Sequence, residues 1–146
     1  MTNDGTVHHF GKGRKLMLVV CERLTEKRQG PTTSLSIIAY AQTMPGGQTY
    51  EVGRIDLLPE RTGEPIFLHS HQRKFGVPGG PAQPIDIVDS IETAVQRKLL
   101  ECRDWVTNGE FLVDDDFSDQ ESFSDVVRKA TQDFIGLYDN YIPSTQ

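Results

Sequence analysis

Cysteine, tryptophan and long apolar runs are all scarce in this sequence. Its two cysteines, Cys21 and Cys102, cannot build a disulfide framework, and without a Cys-x-x-Cys spacing they suggest no zinc ribbon. No apolar run approaches the roughly 18–20 residues that a membrane span requires. Met1 to Phe10 is polar, with His8 and His9 standing where a secretory signal would place its apolar stretch, so a cytoplasmic location is expected. Positive charge is not in excess. The formal net charge is −6 and the pI about 5.1, which argues against non-specific wrapping of nucleic acid. Internal repeats and low-complexity tracts are missing too, which removes solenoids and linkers from consideration.

What is there suits one compact unit. A chain of 146 residues, 36% hydrophobic and 25% charged, can bury a core without a metal or disulfide staple. The expectation is a single α+β domain over residues 1–146, with residues 1–7 and 143–146 as disordered tails. Charge is uneven along the chain: residues 1–85 hold ten Lys or Arg against seven Asp or Glu, and residues 86–146 five against fourteen. A basic first half can touch phosphate locally, while the acidic second half suits a basic partner.

Four runs read as strands. Leu16 to Leu24 begins with five apolar residues, as in a strand covered on both faces, and the polar run Thr25 to Gly30 followed by Pro31 is expected to break it. Leu35 to Thr43 is β-branched and aromatic, and Met44-Pro45-Gly46-Gly47 is a turn. Thr49 to Leu58 and Ile66 to His71 follow, separated by a Pro- and Gly-containing loop. Short connections make an antiparallel meander the economical arrangement. After the Gly- and Pro-rich stretch Gly76 to Pro84, apolar residues Val88, Ile91, Val95, Leu99, Cys102 and Val106 recur at helical spacing. Asp86 is placed to cap this helix, Asn108-Gly109 to stop it, and Trp105 to anchor it to the sheet. Ser122 to Asp125 resembles a capping box opening a second helix to about Tyr141. The fold expected is therefore a four-stranded antiparallel meander followed by two helices packed on one face.

Reactive groups concentrate in one place. Period-two alternation puts Ile55 and Leu57 on one face of their strand and Val52, Arg54 and Asp56 on the other; in the next strand Ile66 and Leu68 suit the core and leave Phe67, His69 and His71 opposite. Paired as a hairpin, these strands gather Arg54, Asp56, His69 and His71 on the open face away from the helices, with Arg73 and Lys74 close behind. Two imidazoles can exchange protons at neutral pH, Asp56 can orient one of them, and Arg54, Arg73 or Lys74 can hold a phosphate. That set suits metal-independent cleavage of an RNA phosphodiester, with His69, His71, Arg54 and Asp56 as catalytic residues and Arg73 and Lys74 as substrate-binding residues. The plainer reading is that an uncovered sheet face is simply polar.

His69-x-His71 with Asp56 or Glu51 also suggests metal ligands, but structural zinc normally wants four, and neither a metal nor another cofactor is expected. Gly11 to Lys15 lacks the Gly-Lys-Ser/Thr of a phosphate loop, and Asp114 to Asp116 lacks the spacing of a calcium loop. Both cysteines read as core residues, and His8 and His9 fall in or beside the expected tail. A second functional class stays open: a non-catalytic interaction module, such as a phage or plasmid accessory protein or a homodimer subunit, docking by its sheet face or by an edge strand at Leu35 to Thr43 or Ile66 to His71.

Arg54-Ile55-Asp56, then His69-Ser70-His71, then the helical stretch from Ile85 resemble a pattern in the TumE-type toxin family and related small prokaryotic families. The pattern there is an Arg-x-Asp strand, a His-containing strand, a short loop and an amphipathic helix. The resemblance covers about half the chain. It implies the toxin half of a toxin–antitoxin pair, acting on RNA in the cytoplasm with a neutralising protein partner and no membrane. This chain departs from the pattern in a longer insert before the histidines and in an additional acidic C-terminal helix.

Overall fold

The computed structural model describes residues 5–10, 15–27, 30–42, 49–58, 67–72, 83–87, 89–101, 103 and 120–141. They form an antiparallel sheet with two helices packing against it. The strands are β1 (Thr6–Phe10), β2 (Lys15–Lys27), β3 (Gly30–Gln42), β4 (Thr49–Leu58), β5 (Phe67–Gln72) and β6 (Gln83–Pro84), lying in the sheet in sequence order. The helices are α1 (Ile91–Leu100) and α2 (Gln120–Tyr141). All four expected strands are present as β2 to β5, in the expected meander. A short strand is added at each margin.

The additions have physical causes. Thr6 and Val7, expected in the lead-in, open β1, whose register on β2 runs from Thr6↔Val20 to Phe10↔Leu16. On its core side Phe10 meets Phe123 of α2 edge to face, with ring centroids 5.2 Å apart, and His8 Nε2 donates to Asp133 Oδ2 over 2.6 Å. Just before it, a Cβ on Gly5 would stand 2.3 Å from the Val20 carbonyl oxygen, so only glycine permits this approach. Residues 1–4 and 143–146 lie outside the described residues. The polar run after Leu24 does not break its strand. β2 continues to Lys27 and β3 starts at Gly30, because ladder pairing down to Lys27↔Gly30 meets the backbone's hydrogen-bonding needs whatever the side chains. Pro31 is accepted one position inside β3, near the strand start, where its missing donor disturbs the ladder least.

The core fills one sheet face. Leu16, Leu18 and Val20 of β2, Leu35, Ile37, Ala39 and Ala41 of β3, and Ile55 and Leu57 of β4 point to it, and Ala94, Val95 and Leu99 of α1 with Phe123, Val127, Ala130 and Phe134 of α2 cover it. Val52 joins them, contrary to the alternation expected from sequence. Ala39 pairs with Gly53 and Tyr40 with Glu51, so β4 carries one extra residue at this point. Such a bulge shifts the alternation and turns Val52 inward.

Helix α1 starts later than its apolar stripe suggested and is interrupted at Glu101; Arg103 is again helical, and Cys102 and Val106 of the stripe lie outside the described residues. Ser90, not Asp86, is the N-cap: its Oγ accepts from Thr93 N over 3.1 Å, while Asp86 is exposed before it. Glu101 is its C-cap; Trp105 and Asn108-Gly109 lie outside the described residues. Helix α2 begins at Gln120, so Ser122 falls inside its first turn and not at its cap. Among the described residues, no helix is long and apolar enough to cross a membrane.

Candidate functional site

The site is built on the middle of the sheet, on the face turned away from the helices. Strand register aligns Cys21, Ser36, Asp56, His69 and Pro84 as successive Cα partners from β2 to β6. The adjoining row runs Val19, Ile38, Arg54, His71. Arg54 and Asp56 therefore stand directly opposite His71 and His69 in backbone pairing. The side chains of His69 and His71, and all of Arg73 and Lys74, lie outside the described residues.

Asp56 is the centre of a buried polar network. Its Oδ1 accepts from Ser36 Oγ over 2.6 Å and its Oδ2 from Arg54 Nε over 2.7 Å. Arg54 NH1 also lies 3.6 Å from Glu51 Oε2, so one guanidinium bridges two carboxylates. The bulge makes this possible: it turns Val52 into the core and brings Glu51 to the same side as Arg54.

Two expectations change as a result. The face was expected to be open, but from β2 to β4 it is closed: Ser36 is 0% exposed and Asp56 5%, and Cys21 and Ile38 are buried beside them, whereas Pro84 at the far end of the row is exposed. Arg54 was expected to hold a phosphate, yet its guanidinium is directed at Asp56 and Glu51. In a site withdrawn from water, that arrangement neutralises a carboxylate and fixes its orientation, which suits a positioning role better than anion capture.

Ser36 was missed by sequence reasoning. Its signal was the alternation of Ser34 and Ser36 within an otherwise apolar run, which marks a polar stripe on one strand face. Ser36 donates to the carboxylate and not to an imidazole, so the row does not have the order of a serine nucleophile backed by a histidine base. Among the described residues, no group of three or more His, Cys, Asp or Glu side chains is placed to hold a metal ion. Of the edges expected for docking, β3 is paired on both sides, and β5 is paired along its length with β4 and with β6 at His69 and Ser70.

No family model matches the sequence, and neither a curated protein nor a solved structure matches the chain.

Proposed function

We propose that this is a toxin-like protein that cleaves RNA, using His69 and His71 as proton-transfer groups and Asp56 to orient His69. The observation that carries this reading is the register of β4 on β5, in which Asp56 partners His69 and Arg54 partners His71. Residues directly opposite on antiparallel strands have Cβ atoms roughly 4.5–5.5 Å apart, close enough for a carboxylate to serve a neighbouring imidazole. In the reaction, one imidazole takes the proton of a ribose 2′-hydroxyl as its oxygen attacks the adjacent phosphorus. The other gives a proton to the departing 5′ oxygen, leaving a 2′,3′-cyclic phosphate. Arg54 holds Asp56 in place, and Arg73 and Lys74 supply the phosphate contacts. The similarity of Arg54-Ile55-Asp56 and His69-Ser70-His71 to the TumE-type pattern supports the same reading and implies a cytoplasmic antitoxin partner.

The test is incubation of the purified chain with single-stranded RNA in the presence of a chelator. The expected result is cleavage leaving 2′,3′-cyclic phosphate ends, lost in His69→Ala and His71→Ala while thermal stability stays near that of the wild type. Intact RNA with the wild-type chain, or equal cleavage by both variants, refutes the reading.

A further inference from the structure

Of the groups around Asp56, Ser36 has no part in the reaction proposed above. Ser36 on β3 and Asp56 on β4 are Cα partners, and on its other side Asp56 partners His69 of β5. One row therefore runs Ser36, Asp56, His69 over three neighbouring strands. In this register the serine and the histidine stand on opposite sides of the aspartate.

The contacts of the carboxylate define what the hydroxyl can do. The torsion that turns an Asp carboxylate is broad and roughly two-fold, so a donor on one oxygen alone leaves the group room to rotate. Arg54 Nε, from the same strand, holds Oδ2 over 2.7 Å, and Ser36 Oγ holds Oδ1 over 2.6 Å. Two donors on two oxygens, from different directions, fix the plane of the group. A carboxylate has about four acceptor positions, so both holds are compatible with a further donor from β5. Ser36 itself is 0% exposed, which puts its Oγ out of reach of a substrate, and its hydroxyl proton is given to Asp56. It can serve the reaction only through the carboxylate.

We infer that Ser36 is a positioning residue of the RNA-cleaving centre: by holding Oδ1 from the β3 side it keeps the Asp56 carboxylate turned to orient His69. This role rests on the RNA-cleavage reading and adds to it a second hold on Asp56 besides Arg54. Displacement of a reacting group by about 1 Å can cost about 10²-fold in rate, so a hydroxyl that never meets the substrate can still govern turnover.

Steady-state cleavage of a labelled single-stranded RNA by the full chain tests it, comparing wild type, Ser36→Ala, His69→Ala and the double variant at a temperature where circular dichroism shows all four folded. Ser36→Ala is expected to lower kcat and kcat/KM together, by roughly 10- to 100-fold, with KM near that of the wild type. In the His69→Ala background the same substitution is expected to change the rate by less than about twofold, because the histidine it serves is gone. A hydroxyl that only stabilised the fold would act alike in both backgrounds. Cleavage that falls strongly in His69→Ala but is unchanged in Ser36→Ala overturns the role of Ser36 alone. So does a loss confined to KM, or an equal loss in both backgrounds. Intact RNA with the wild-type chain overturns the RNA-cleavage reading and the role of Ser36 together.

Discussion

Replacing Asp56 by alanine should be among the most damaging substitutions on the face away from the helices, although it removes no apolar surface from the core. The carboxylate accepts from Ser36 Oγ and from Arg54 Nε, at 2.6 and 2.7 Å. Ser36 is 0% exposed and the Arg54 side chain 18%. Removing one member of a buried ion pair typically costs about 3–5 kcal/mol, because the remaining charge loses its counter-ion without regaining water. The residual exposure of Arg54, and Glu51 nearby, place this case at the lower end, about 3 kcal/mol. For a chain of this size, each kcal/mol lowers Tm by about 2–4 °C, so a fall of roughly 6–12 °C is expected. Ser36→Ala should cost only about 1 kcal/mol, since Arg54 still holds the carboxylate. The double variant should be less destabilised than the two losses added together, because both remove the same bond. Chemical denaturation of the four proteins measures this cycle. A loss under about 1 kcal/mol for Asp56→Ala, or strict additivity with Ser36→Ala, refutes the network as drawn.

Three further outcomes follow from the packing. Phe123→Ala should cost about 3–5 kcal/mol by denaturant titration and loosen β1 with it, because Phe123 is buried against Phe10. Gly5→Ala should raise amide exchange across β1 while leaving β3 and β4 protected, because the new Cβ meets the Val20 carbonyl oxygen at 2.3 Å. Hydrogen bonds from Arg128, and next from Lys129, hold the Asp125 carboxyl below the usual carboxylate range. A carboxyl with a depressed native pKa binds protons more readily when unfolded, so its stabilising effect is present at neutral pH and fades as pH falls through the carboxylate range. Asp125→Asn should therefore have a shallower acid limb in a plot of Tm against pH, and identical limbs would contradict this.

The meander was legible because its signals are local. The apolar run Leu16 to Val20, the β-branched run around Ile37 and Ile38 and the turn residues between strands point to one arrangement, as do Val127, Ala130 and Phe134 for α2. What escaped depends on pairing. β1 looks polar in isolation and becomes a strand only because Phe10 and His8 find Phe123 and Asp133, more than a hundred positions away. The inward turn of Val52 follows from a bulge that no period-two pattern reveals. For the same reason the facing of Arg54 and Asp56 with His71 and His69 could be read from alternation plus an assumed hairpin. Ser36 could not be connected to Asp56 until β3 was known to lie beside β4.

If Asp56 acts through His69 as proposed, a double-variant cycle in RNA cleavage reveals it, measured at a temperature where every protein is folded. Loss of a general acid or base typically lowers the rate about 10²- to 10⁴-fold, so His69→Ala should fall in that range and Asp56→Asn should fall less. Adding Asp56→Asn to His69→Ala should then change the rate little further, since the group it positions is already gone. Rate losses that multiply, or full activity in Asp56→Asn, would show that Asp56 does not work through His69.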